Sequence, residues 1–277
     1  MPSFDTPAPI TAILEFEVGN VRITASKRQD TVVEVLPSGA ADADVAAVQQ
    51  TKVTCANGTL TLKGPKKRGL FGKVGSLDIT VELPAGSHLR GTAGMGDFTC
   101  EGPLGECRVK TGLGDIRIEE GSAPDLRTSL GDIHIDRATG TTVIHGAGRI
   151  DIGRITGPAT VKNGNGETAI GDVTGDLKAN SANGRITVGT AHASVEAKSA
   201  NGSVRIDDVT RGTVQLQTSV GDVEVGIHDT TAAWLDVNSK IGTVRNSLGA
   251  SEGPGTAEET VEIHARTGAG DILIRRA

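Results

Sequence analysis

Three aspartates hold the same place in a recurring phrase. Asp97, Asp115 and Asp132 each follow a glycine directly and lie 18 and 17 residues apart. If each phrase is one turn of a winding chain, neighbouring carboxylates come to about 4.8 Å of one another. Such a column repels itself unless something compensates. A hard cation taking several oxygen ligands would do so, which makes the three residues a candidate cation ladder. The plainer alternative is that each Asp bonds the turn backbone. The same column continues with Arg149, Glu167 and Arg185, which would then form exposed ion pairs. The G-G-x-G-x-D nonapeptide of calcium-binding β-rolls is absent.

Other reactive residue types do not fall into a catalytic pattern. The six histidines (His88, His134, His145, His192, His228 and His264) are scattered, although His134 and His145 share one repeat with Asp132 and Asp136 nearby. No P-loop, G-x-S-x-G or H-E-x-x-H occurs, and the G-x-G steps precede strands rather than helices. No catalytic residue and no cofactor site are therefore expected. The three cysteines, Cys55, Cys100 and Cys107, lack metal-ligand spacing and read as buried free thiols, with a Cys100–Cys107 bridge as the alternative.

One segment departs from the acidic balance of the chain. In GPKKRGLFGKVGS, Lys66, Lys67, Arg68 and Lys73 flank the apolar pair Leu70 and Phe71. A basic loop with an apolar tip suits an anionic membrane surface or an acidic partner; the alternative is a solvated hairpin loop. The formal net charge of −6 argues against nucleic acid, whose phosphates call for excess Lys and Arg. The first residues carry neither a basic n-region nor an apolar run of signal-peptide length, and no stretch approaches a membrane span. The expectation is a cytoplasmic chain, with exposure at the surface by another route left open.

The elements that position these residues follow from the repeat. The phrase reads MGDFTC at 95–100, then LGDIRI, LGDIHI, AGRIDI, NGETAI, NGRITV, NGSVRI, VGDVEV, IGTVRN and AGDILI. Its anchoring glycines run from Gly96 to Gly270 with spacings of 18, 17, 17, 18, 18, 18, 19, 21 and 28. Apolar and polar residues alternate after each glycine, the mark of a strand with one buried face. Two β-branched columns result, one beginning Phe98, Ile116, Ile133, Ile150 and the other Cys100, Ile118, Ile135, Ile152. A second strand precedes each glycine, with Val109, Leu126, Val143 and Val161 as one inward column. Three residues before the glycine is a mostly hydroxyl or amide column of Thr111, Thr128, His145 and Asn163. A third corner falls near Gly140, Gly157, Gly175 and Gly212.

This is the pattern of an all-β, single-stranded β-helix or solenoid of about 18 residues per coil, expected to be right-handed. Only 2% of residues are aromatic and no Tyr occurs, which suits a narrow aliphatic interior. Residues 1–90 form irregular cap strands continuous with the solenoid, including a short helix over 41–50. Residues 91–277 form the regular coils, with a loop insertion at 248–259. The last strand, 271–277, is expected to be an open edge blunted by Arg275 and Arg276. Trp234 and Leu235 are expected to plug the end of the core.

The N-terminal strands, the SLDITVELPAGSHL segment at 76–89 and the serial glycine–aspartate repeats together resemble the putative-adhesin family with β-strand repeats, also called Toastrack, a domain of unknown function. The resemblance covers nearly the whole chain. It implies a β-helix with links to cell-surface adhesion or to envelope-stress systems with membrane partners, and it carries no catalytic residue. The expected function is a non-enzymatic interaction or scaffold protein. The alternatives are a self-assembling, filament-forming protein and a carbohydrate-binding or carbohydrate-active β-helix. The expected partners are a protein, or a second copy met at the solenoid edges, and an anionic membrane.

Overall fold

Period-two alternation becomes strand almost everywhere that it occurs. The computed structural model describes residues 2–65, 74–249 and 257–277. By packing, the chain divides into two units, Met1–Ala138 and Thr139–Ala277.

Unit 1 contains β1 (Ser3–Asp5), β2 (Thr11–Ser26), β3 (Asp30–Pro37), α1 (Asp42–Gln50), β4 (Lys52–Ala56), β5 (Thr59–Lys63), β6 (Leu77–Pro84), β7 (His88–Met95), β8 (Phe98–Leu113), β9 (Ile116–Leu130) and β10 (Ile133–Thr139). Residue 90 therefore lies inside β7. The cap strands are antiparallel: β4 pairs β5, β3 pairs β6, and β1 pairs β3. The coils inside them are parallel. The first half of β2 lies between β5 and β7, and its second half between β6 and β8. The first long strand, β2, thus sits one coil in from the cap strands. Helix α1 covers the cap end. Its Ala43 carbonyl would lie 2.0 Å from a Cβ at Gly75, and its Asp44 Oδ1 accepts a 2.8 Å bond from the Ser76 amide. The few aromatics of the core meet here. The Phe98 ring, fully buried, occupies the space that a side chain at Gly91 would need and lies 5.8 Å from the Phe16 ring.

Unit 2 contains β11 (Thr142–Gly146), β12 (Ile150–Thr156), β13 (Ala159–Asn165), β14 (Thr168–Val173), β15 (Leu177–Asn183), β16 (Ile186–Ala191), β17 (Val195–Asn201), β18 (Val204–Val209), β19 (Gly212–Val220), β20 (Val223–Ile227), β21 (Thr231–Ile241), β22 (Val244–Asn246), β23 (Glu259–Ala269) and β24 (Ile272–Arg276). Every pairing within it is parallel, and like residues stack upon like. Ile150, Thr168, Ile186, Val204 and Val223 occupy one register. Ala159, Leu177, Val195 and Val214 occupy another. Each coil places both rows in the core, so each unit buries a continuous aliphatic column.

Three sequence expectations need correction. First, the order of the last coils is not the order of the chain. β23 pairs β19 on one side and β21 on the other, and β24 lies likewise between β20 and β22. The segment 271–277 is therefore an interior strand. Arg275 bridges Glu224 at 2.9 Å, and Arg276 Nη1 donates to the carbonyls of His228 and Thr231. The swap does not remove an edge: it moves the one-sided pairing from β23 and β24 to β21 and β22.

Second, the residues expected to plug the core do not. Trp234 is 57% exposed, and Leu235 is half-buried. Third, the inward residue of β11 is Ile144, opposite Val161, rather than Val143. The coil between Gly131 and Gly148 is one residue short, and the residue is missing between β11 and its glycine, which moves the strand by one position and every side chain to the other face.

Candidate functional site

The corner at the anchoring glycine is where the repeat concentrates its polar groups. Gly184 shows why glycine is needed there. Its φ is +146°, and a Cβ would lie 1.9 Å from the carbonyl oxygen of Gly166 in the preceding coil. Stacked corners leave those carbonyls without strand partners, and the hydroxyl column satisfies them. Thr111 Oγ1 donates to the Gly96 carbonyl at 3.0 Å, Thr128 to Gly114 at 3.0 Å, Thr218 to Gly202 at 2.8 Å and Thr267 to Gly221 at 2.8 Å. Asn163 Nδ2 does the same for Gly148 at 2.9 Å. The Ser181 hydroxyl, in the same column, is buried without a partner.

The aspartates act one coil further on. Asp97 Oδ1 accepts from the Asp115 amide at 2.8 Å, and Asp115 Oδ1 from the Asp132 amide at 2.9 Å. Asp222 and Asp271 repeat the contact, accepting from the amides of Asp271 and Thr243. Each carboxylate caps the backbone of the next coil rather than of its own turn. Asp115 Oδ2 also meets Arg117 at 2.9 Å. Among the described residues, no three His, Cys, Asp or Glu side chains are grouped to hold a metal.

The outer faces carry charges in short paired runs. Glu196 bridges Lys198 at 2.6 Å and Lys178 at 2.9 Å, which holds its carboxyl below the ordinary range, with Lys198 the larger cause. Asp172 meets His192 at 3.0 Å, and Asp208 meets His228 at 3.0 Å. A shallow groove of about 390 Å³ on this face is lined by Thr160, Asp176, Lys178, Ser194, Glu196 and Gln215. The cysteines are three free thiols, so the Cys100–Cys107 bridge is not formed. Burial pushes the Cys107 thiol up to about 12 and the Cys100 thiol well above its usual value.

The feature that sequence reasoning missed is the residue just before each anchoring glycine. In unit 1, Met95, Leu113 and Leu130 stand in one register at the corner, 49%, 38% and 59% exposed. Val18 stacks beside Met95. In unit 2 the same position becomes an amide ladder: Asn183 donates to Asn165 at 3.0 Å and Asn201 to Asn183 at 2.9 Å. The signal was present in the phrases themselves, as M, L and L before the glycine in three coils and N in three others.

The basic segment returns at this point. Lys66, Lys67, Arg68, Leu70, Phe71 and Lys73 lie outside the described residues. Their flanks do not. β5 ends with Lys63 opposite Glu15, and β6 begins with Leu77 opposite Gly19. Val18 and Gly19 are the β2 counterparts of Met95 and Gly96. The described flanks, the end of β5 at Lys63 and the start of β6 at Leu77, therefore lie near the corner that carries the aliphatic ridge.

Coils of parallel strand turning at glycine corners around an aliphatic column define a parallel β-solenoid. The chain belongs to the Toastrack DUF4097 family, whose model matches residues 13–275. It is similar to a solved structure described as a putative adhesin from Bacteroides fragilis, at 15% identity over 99% of this chain and 95% of that one, with a TM-score of 0.36. A putative adhesin from Parabacteroides distasonis matches at 13% identity over 98% and 95%, with a TM-score of 0.45. A putative cell adhesion protein from Clostridium sporogenes matches at 11% identity over 100% and 98%, with a TM-score of 0.24. No curated protein matches the chain. Among the described residues, no helix is long and apolar enough to cross a membrane.

Proposed function

We propose that this protein is a non-enzymatic, adhesin-like scaffold that rests the glycine corner of unit 1 on an anionic membrane surface, in the envelope-stress setting that its family resemblance implies. The observation that carries the reading is the coincidence at one corner. Met95, Leu113 and Leu130 form an exposed aliphatic ridge, and the flanks of the Lys66–Lys73 segment are anchored beside it. Apolar residues that enter the headgroup boundary, together with basic residues that hold the surface, are the two ingredients of peripheral membrane binding. The reading also fits a surface on which ladders of side chains satisfy one another rather than converge on a reacting atom.

Co-sedimentation with vesicles tests it. The wild-type chain is expected to pellet with phosphatidylglycerol–phosphatidylcholine vesicles and not with phosphatidylcholine alone. Replacing Lys66, Lys67, Arg68 and Lys73 by Ser is expected to weaken binding by roughly fivefold per charge, at about 1 kcal/mol each. Replacing Met95, Leu113 and Leu130 by Ser, all exposed, is expected to weaken it further without changing the circular dichroism spectrum. Equal pelleting of the wild type and both variants would reject the membrane role.

A further inference from the structure

The outermost coil of unit 2 is built differently from every coil beneath it. β21 pairs only with β23, and β22 only with β24, among the described residues. Elsewhere in the unit the inward residues are almost wholly buried. Here Ala233, Leu235 and Val237 are half-buried and Val244 is 41% exposed, although they stand in register with the buried Val261, Ile263, Ala265 and Ile272. Ile241, at 73%, is the most exposed large apolar residue of the described chain, and Trp234 stands on the same strand. An eleven-residue strand paired on one side only among the described residues, with an apolar inner face, is a template for strand addition.

We propose that this edge is the docking surface for a second copy of the chain, which pairs with it β21 to antiparallel β21 across a two-fold axis. The charges on the strand choose the partner and the register. With the axis at Asn238, Asp236 of each copy faces Lys240 of the other, and Leu235 faces Ile241. Trp234 lies across from the corner Gly242, which leaves room for the indole. Lys240 joins the cluster in which Asp236 already bridges Arg266 at 2.6 Å. Opposite charges directly across an antiparallel pair stabilise it, whereas a shift of one residue turns the apolar side chains to the outer face. The pairing closes as a dimer and does not propagate. Among the described residues of unit 1, the cap strands pair antiparallel and α1 packs beside them, so the cap does not repeat the parallel edge of β21 that head-to-tail growth would need.

Sedimentation over a range of concentrations tests the proposal on the full chain. The wild type is expected to pass from monomer to dimer and no further. The double variant Asn238→Lys, Ile241→Lys changes only exposed residues and is expected to remain monomeric with an unchanged spectrum. In a Cys55→Ser background, Asn238→Cys is expected to give an inter-chain disulfide on mild oxidation, because the residue faces itself across the axis. Lys162→Cys, on the outer face away from the edge, is expected not to. A wild type that stays monomeric at every concentration, a dimer that survives the double variant, a growing polymer, or equal cross-linking at residues 238 and 162 would each overturn the proposal.

Discussion

At the scale of the residue, the corner decides what each position tolerates. Gly184→Ala would bring a Cβ within 1.9 Å of a backbone oxygen at a φ of +146°, and backbone cannot move aside as a side chain can. The expected cost is about 3 kcal/mol or more, whereas Gly249→Ala, with nothing within 4 Å of its Cβ position, is expected to change stability by less than about 0.5 kcal/mol. Urea unfolding of the two variants measures the contrast. The thiols give a second readout. With Cys100 and Cys107 buried and held protonated, iodoacetamide near neutral pH is expected to label Cys55 alone in the folded chain and all three after unfolding. Labelling of two or more thiols before unfolding would contradict the packing.

A pH dependence belongs to the same scale. The Glu196 carboxyl is held below its ordinary range by Lys198 and Lys178. A depressed folded-state value means that the pair contributes stability above the unfolded carboxylate range. That contribution is lost as pH falls through the folded-state value. The group is part-exposed, so the effect is small and screened by salt. Glu196→Gln is therefore expected to flatten the acid limb of a stability–pH profile at low salt and leave the neutral region almost unchanged.

At the scale of the element, the termini are the informative feature. Both units place a strand out of chain order, one coil inward: β2 lies between β5–β6 and β7–β8, and β23–β24 between β19–β20 and β21–β22. At concentrations where the chain is monomeric, native-state hydrogen exchange is expected to find β23 amides protected to the level of the core and β21 amides exchanging earlier. Side-chain deletion gives the same ranking by another route. Ile263→Ala is expected to cost about 2–5 kcal/mol, while Leu235→Ala, at the half-buried edge, is expected to cost clearly less. Equal costs would mean that the edge coil is covered as completely as the others.

At the scale of the whole molecule, the two proposed interactions answer salt in opposite directions. Attraction of the Lys66–Lys73 segment to an anionic surface weakens as salt screens it. Association of two copies, each with a formal net charge of −6, works against repulsion that salt relieves. Vesicle binding is therefore expected to fall between low and high salt while the dimer fraction, read by sedimentation, rises or holds.

Much of this was legible in the residues. The glycine period, the β-branched columns and the hydroxyl column are local regularities, and a strand with one buried face writes itself into the sequence as alternation. The turn aspartates were expected to bond their own turn, whereas Asp97 and Asp115 accept from the amide of the next coil. The order of the outer coils was hidden for the opposite reason. VGDVEV, IGTVRN and AGDILI share the corner glycine and a β-branched first inward residue; they differ at the second, where Asn246 stands against Val225 and Ile274. Which of them pairs with which is a matter of non-local strand pairing, not of the alternation of any one phrase. The sequence by itself determined a parallel coil of glycine corners around an aliphatic axis. Only the tertiary structure decided that β24 is interior and that β21, with Trp234, is the edge, because an edge is a property of what a strand lacks beside it and not of the strand.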